Sequence, residues 1–185
     1  MRDRRPWFAF LLVVASAALL ASATAARGGW NPVPPDQWNQ AYAGTDPFHD
    51  VNAAKAAGYA EFRDAQGIAC IEHMEMGTMG IHYVNGALLD TKLDPAHPEA
   101  VVYEPGTHGS LNMVALEYLV FADAWANAGH TGPPKLFNRE YLYTPAPNRY
   151  GIPAFWALHI WIWKYNPSGL FAPYNPHVSC ENAGP

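Results

Sequence analysis

From Ile68 onward the apolar residues of this chain come in short runs cut by Gly, Pro and Asn, the punctuation of β-strands and turns rather than of long helices. The runs predict strands at Ile68 to His73, Met79 to Val84, Ala100 to Glu104, Leu111 to Phe121 and Ala154 to Lys164. Glu104-Pro-Gly-Thr-His-Gly-Ser110 joins the third and fourth as a hairpin. Residues 129–153 are rich in Pro and aromatics without a clean period and read as a packed loop, with one strand around Glu140 to Tyr143. In Leu111 to Phe121 and Ala154 to Trp163 both alternating faces are apolar, so these strands should be covered on both sides.

Upstream, Asp46-Pro47 is a helix start and Gly58 a stop, which predicts a helix from Pro47 to Ala57 with Phe48, Val51 and Ala54 toward the core. The Asn31-Pro-Val-Pro-Pro35 stretch lacks backbone donors and reads as part of a Pro-rich arm over residues 26–45. One helix followed by antiparallel strands, with loops too short for helical crossovers, predicts an α+β fold over residues 46–185. Its sheet is expected to be curved, or closed into a small partial β-barrel, with long Pro and aromatic loops.

Three of the apolar runs carry one polar residue each: His82 in MGIHYVN, Glu117 in LNMVALEYLV and His159 in FWALHIWIW. A buried imidazole or carboxylate costs free energy unless something satisfies it. Side chains alternate along a strand, so Met113, Ala115, Glu117, Leu119 and Phe121 are expected on one face. Phe155, Ala157, His159, Trp161 and Trp163 form a second such set, and Gly80, His82 and Val84 a third. Should the three faces converge, two histidines and a carboxylate form a donor set for a divalent transition metal such as zinc, iron or copper, with open positions for water or substrate. The plainer alternative satisfies each polar group separately, through backbone or through Tyr83, Tyr103 or Tyr118.

Two further patterns invite chemistry. His73, Met74, Met76 and Met79 cluster in EHMEMGTM, donors suited to copper, although methionine is also an ordinary core filler. The aromatic group that includes Trp156, Trp161, Trp163 and Tyr165 could stack on a sugar or line an apolar cavity, with Tyr83 and Met113 as further wall residues. Sheet packing explains the same residues. A non-metal module binding an apolar molecule or a sugar is therefore the rival of the metal site. His49, His97, His108, His130 and His177 sit among Pro, Gly and Asp and read as surface residues.

Residues 1–25 have the layout of a cleaved signal peptide: Arg2, Arg4 and Arg5, an apolar run from Trp7 to Leu20, then A-x-A sites. The run falls short of the roughly 20 residues of a membrane span. Export implies a secreted or periplasmic protein with no stable membrane insertion after cleavage. Removing the signal leaves 8 basic residues against 15 acidic ones, which disfavours nucleic acid as a partner and leaves a small molecule or a metal ion. Cys70 and Cys180 are the only cysteines, and an oxidising compartment favours a disulfide between them. The mature chain has no Gly-x-Ser-x-Gly elbow, no phosphate-binding Gly-rich loop and no His-Glu-x-x-His, so serine hydrolase, nucleotide enzyme and zincin protease are unsupported.

MGIHYVN, the Leu93-Asp94-Pro95 loop leading to PEAVVYEP, the LEY strand and ALHIWIWKYNPSGLFAPYNPHVSC together resemble a family of exported bacterial proteins. That family carries the motifs MGxHYVN and ALHxWxWxxNPxGLFAPxNPxVSC, and the resemblance spans roughly Asp50 to Cys180. It implies a secreted single-domain protein and puts His82, Glu117, His159 and Cys180 within family motifs, without giving any of them a role.

Overall fold

In the computed structural model, which describes residues 32–184, the Pro-rich stretch starts a helix instead of a linker. The signal peptide at residues 1–25 and the beginning of the expected arm lie outside the described residues. Helix α1 runs Pro35–Thr45, with proline in its first turn, where the missing N–H has no intrahelical partner to lose. Asp36 in the same turn complements the helix dipole, and the buried Thr45 hydroxyl donates to the Ala41 carbonyl at 2.6 Å.

The helix expected from Pro47 to Ala57 is split. A single 3₁₀ turn covers Asp46–His49, and α2 covers Val51–Ala56. Asp50 between them is extended (φ −86°, ψ 108°), and its carboxylate accepts from the Asn52 N–H at 2.9 Å, capping α2. Gly58, at φ 98°, ends the segment, as its position in the sequence suggests. Phe48 and Val51 pack against the core and Ala54 is fully buried within it.

The strands are β1 (Ala60–Glu61), β2 (Cys70–His73), β3 (Gly77–Val84), β4 (Ala100–Pro105) and β5 (Leu111–Phe121). After helix α3 (Ala122–Asn127) follow β6 (Lys135–Leu136), β7 (Arg139–Glu140), β8 (Leu142–Thr144) and β9 (Phe155–Ile160). Seven of them form one sheet in the order β1-β3-β4-β5-β9-β8, with β2 also on β3, and every pairing is antiparallel. The fold is α+β, but the barrel alternative is not realised. Among the described residues β8 pairs only with β9, and the short β1 and β2 share the far edge of β3, so the two ends of the sheet do not meet. β6 and β7 form a separate hairpin.

One face of the sheet carries the larger core. Ile81, Tyr83, Val101, Tyr103, Leu116 and Ile160 pack with Ala41, Ala54 and Tyr59 of the helical segment and the turn after it. Tyrosine hydroxyls fasten this layer to the loops: Tyr103 donates to the Phe48 carbonyl at 2.6 Å, Tyr59 to Pro98 at 2.7 Å and Tyr118 to Pro95 at 2.7 Å. The opposite face bears a smaller cluster of Val102, Val114, Ala115, Trp161 and Val178.

Two backbone irregularities change which face a side chain serves. The β4–β5 register passes from Val102↔Ala115 to Tyr103↔Met113, so Val114 is an extra residue in β5. Met113 thereby joins the helix-covered core with Tyr103 instead of sharing the Glu117 face. Likewise β9 ends at Ile160. The Ile162 N–H turns back to the Ile160 carbonyl (3.1 Å), and the Trp163 N–H reaches Val114 (3.2 Å). Trp163 consequently packs with Tyr42 and His49 at ring-centroid distances of 4.2 and 4.4 Å.

Cys70 and Cys180 are disulfide-bonded across a sequence separation of 110. The bond ties the C-terminal segment to β2, and the same segment is bridged to β3 by reciprocal backbone hydrogen bonds between Asn175 and Thr78. Among the described residues no helix is long and apolar enough to cross a membrane.

Candidate functional site

The register of the sheet puts His82, Glu117 and His159 on one face. His82 is opposite Val102, Val102 opposite Ala115, and two residues on from Ala115 stands Glu117, whose cross-strand partners are Ala100 and His159. The three alternating sets read from the sequence therefore do share a side where these residues are concerned. His82 Nε2 is 3.3 Å from Glu117 Oε2. The His159 ring stands 5.9 Å from the His82 ring, centroid to centroid, and 4.7 Å from that of Trp161.

Both histidines are buried, at 5% exposure each, and Glu117 is nearly so, its side chain 15% exposed. Neither ring nitrogen of His159 has a hydrogen-bond partner among the described residues. This is the sharpest anomaly of the site, because buried imidazole nitrogens are ordinarily satisfied. The separate-satisfaction alternative fails for this residue: Tyr83, Tyr103 and Tyr118 all belong to the core on the other face.

Burial sets the charge states. It holds the His82 imidazolium down at about 4, with a backbone hydrogen bond at Gly80 opposing it, and pushes the Glu117 carboxyl up to about 7. His159 is driven well below its ordinary range, first by burial and then by the neighbouring His82. Each group thus favours its neutral form, and the His82–Glu117 contact at neutral pH is a buried pair within reach of a single shared proton.

Next to this pair opens a cavity of about 130 Å³. The sheet contributes His82, Val84, Glu117, Leu119, Phe121 and Phe155 to its wall, and the connecting segments contribute Phe62, Leu89, Tyr150 and Ile152. Tyr150 is held by its hydroxyl against the Met79 sulfur at 3.7 Å. Alternation along the strands identifies Leu119, Phe121, Phe155 and Val84 as neighbours of the polar trio. Phe62, Leu89, Tyr150 and Ile152 come from irregular segments that carry no periodic signal.

The other residues singled out from the sequence lie elsewhere. Tyr83 and Met113 belong to the helix-covered core, and Trp163 packs against the helical segment, so these three do not line the cavity. Trp161 does flank His159, and its indole N–H donates to the Ala172 carbonyl at 2.6 Å. His73 is exposed beside Tyr174, Met74 and Met76 are exposed in the β2–β3 turn, and none of the three is in the polar trio. Among the described residues no set of three His, Cys, Asp or Glu side chains stands closed around a single ion position. The trio is a pair in contact with a third member set back from it.

A second buried carboxylate gave no sign of itself in the sequence. Glu99, 4% exposed, accepts the Leu119 N–H at 2.9 Å. Burial pushes its carboxyl up to about 8, reinforced by Asp90 and Glu117. It lies in the Pro- and Asp-rich stretch before β4, where composition suggests solvent exposure.

No protein-family model matches the chain, and neither curated proteins nor solved structures provide a match.

Proposed function

We propose that the protein binds one divalent transition-metal ion through His82, Glu117 and His159, beside the apolar cavity. The observation that carries this reading is the pair of unpartnered, buried nitrogens of His159 next to the His82–Glu117 contact. A metal ion would satisfy a nitrogen that no group among the described residues reaches, and would favour the neutral imidazoles that burial already imposes. The spacing supports it. Two imidazoles bound to one ion at about 2 Å hold their ring centroids roughly 5 to 6 Å apart, and these stand at 5.9 Å. The reading asks the His159 ring to turn one nitrogen toward the pair.

Two nitrogens and one carboxylate oxygen suit zinc or iron. Copper(I), which prefers sulfur, is less well served, since His73, Met74 and Met76 are exposed, Met113 faces the other way and the Met79 sulfur is engaged by the Tyr150 hydroxyl. An ion held by three protein ligands keeps a position open, where it would polarise an oxygen-bearing ligand or lower the pKa of bound water. We assign no reaction.

The test is elemental analysis of protein purified from an exporting host without added chelator. Near-stoichiometric zinc or iron in the wild type, lost in His82→Ala and His159→Ala, is the expected result. Metal content that neither substitution changes would refute the assignment.

A further inference from the structure

The cavity beside the polar pair has a size, a wall and one polar end, and together these define a ligand class. We propose that it holds an uncharged, ring-sized organic molecule bearing a single hydroxyl, with the ring among Val84, Leu119, Phe121 and Phe155 and the hydroxyl on the Glu117–His82 pair. This deepens the metal reading, on which it rests only in addressing the same polar end.

Size comes first. The cavity measures about 130 Å³, and an apolar protein cavity of about 150 Å³ is known to take up benzene. The space suits one six-membered ring.

The wall then limits the chemistry. Apart from Glu117 and His82, every lining residue is aliphatic or aromatic, and the Tyr150 hydroxyl is already turned to Met79. A sugar would leave several hydroxyls against carbon with no partner, at a cost of a few kcal/mol for each. An anion would meet Glu117 and no Lys or Arg, since among the described residues neither type lines the cavity. A cation would have to leave water for a carboxyl already engaged by His82. Water is a poor filler of the apolar part, because an ordered water needs two to four polar partners. A lone hydroxyl beside Glu117 Oε2 and His82 Nε2, the polar atoms grouped at one end of an apolar wall, is a polar group that this end can satisfy.

Phenol is the probe, with benzene, benzoate and glucose as comparisons. Binding to metal-stripped and to zinc-treated mature protein is followed through the methyl NMR signals of Val84, Leu89, Leu119 and Ile152, with Val178 in the separate cluster as reference. Phenol should shift the four cavity methyls and not Val178. Benzene should bind about tenfold more weakly for want of the hydrogen bond, and benzoate and glucose should cause no shift. Absence of cavity shifts with phenol in both preparations, equal affinity for benzene, or comparable binding of benzoate or glucose would each overturn the proposal.

Two variants separate this inference from the metal assignment. Leu119→Trp, which fills the cavity, should abolish the phenol response and keep the metal, whereas His159→Ala should do the reverse. Phenol binding by a wild type that carries no metal would uphold the cavity assignment and sink the metal one. Metal without phenol binding would do the opposite. Because the wild-type methyl shifts locate the ligand unaided, the inference stands or falls even if Leu119→Trp fails to fold.

Discussion

His82 and Glu117 touch across a strand that belongs to neither of them. Their Nε2 and Oε2 atoms are 3.3 Å apart, although β4 lies between β3 and β5. Adjacent strands are spaced about 4.8 Å apart, so the two backbones are separated by about twice that, and the side chains must lean toward each other over β4. Ala100, which pairs with both Val84 and Glu117, provides the low ground that permits this.

Ala100→Leu should therefore break the contact. Ala100 is 3% exposed, so a larger side chain there must either displace Glu117 or strain the sheet, at about 1–3 kcal/mol for overpacking. Thermal unfolding should report that loss. In the NMR titration of metal-stripped protein, the His82 and Glu117 resonances should cease to respond to one another. A variant as stable as wild type with the coupling intact would show that β4 does not set the spacing.

Gly80 should tolerate no side chain. It lies two residues before His82 at φ +113°, and an added Cβ would come within 2.6 Å of the Tyr103 carbonyl oxygen. Gly80→Ala combines backbone strain of about 1–3 kcal/mol with a clash against the neighbouring strand. The expected result is a marked drop in the unfolding midpoint together with weakened metal binding. A neutral substitution would mean that β3 adjusts freely and does not fix His82.

Glu99 makes stability fall as the pH rises. Its native pKa of about 8 lies above the ordinary value of 4.5, so between those values the native state holds more protons at this position than the unfolded chain does. The stabilisation is full below about 4.5 and is lost as the pH approaches 8, with a slope of up to about 1.4 kcal/mol per pH unit. Glu99→Gln mimics the protonated form and can still accept the Leu119 N–H. Relative to wild type it should be little changed at pH 5 and clearly more stable at pH 8, as read by denaturant unfolding at both values. Parallel curves for the two proteins would show that Glu99 is charged in the native state throughout.

Removal of the disulfide should loosen the C-terminal segment and its partner strand together. Closing a loop of this length is worth about 2–5 kcal/mol, so the Cys70→Ser, Cys180→Ser double variant should lose stability on that scale. Hydrogen exchange should quicken at Thr78 and Asn175, whose backbone groups join the segment to β3. Thiol titration of unfolded, unreduced wild type should find no free cysteine.

How much of this was legible in the sequence differs by element. The long strands were, because alternating apolar residues between turn formers specify strand and face alike. His82, Glu117 and His159 stood out because each is polar at a position whose neighbours demand burial. Met113 and Trp163 depart from the faces that alternation predicts for one reason: periodicity holds only while the strand is regular, and neither the extra residue at Val114 nor the turn after Ile160 leaves a mark in composition. Helix α1 was masked by its own prolines, which serve a first helical turn as well as they serve a linker. Glu99 was hidden because a carboxylate in a polar loop looks exposed until the loop is folded over a sheet.

Val114 shifts the phase of the longest strand partway along its length. Before it the odd-numbered Leu111 and Met113 pack on the helix-covered side, whereas after it the even-numbered Leu116 and Tyr118 do, so the alternation changes phase at this residue. Its carbonyl also receives the Trp163 N–H, which fastens the chain leaving β9 at the point where the phase changes. Deleting this residue would make the ladder continuous and leave Met113 opposite Tyr103 on the helix-covered side, because Met113 would then directly precede Ala115. What would be lost is the carbonyl that receives the Trp163 N–H, so the insertion serves the chain leaving β9 rather than the pairing of β4 with β5.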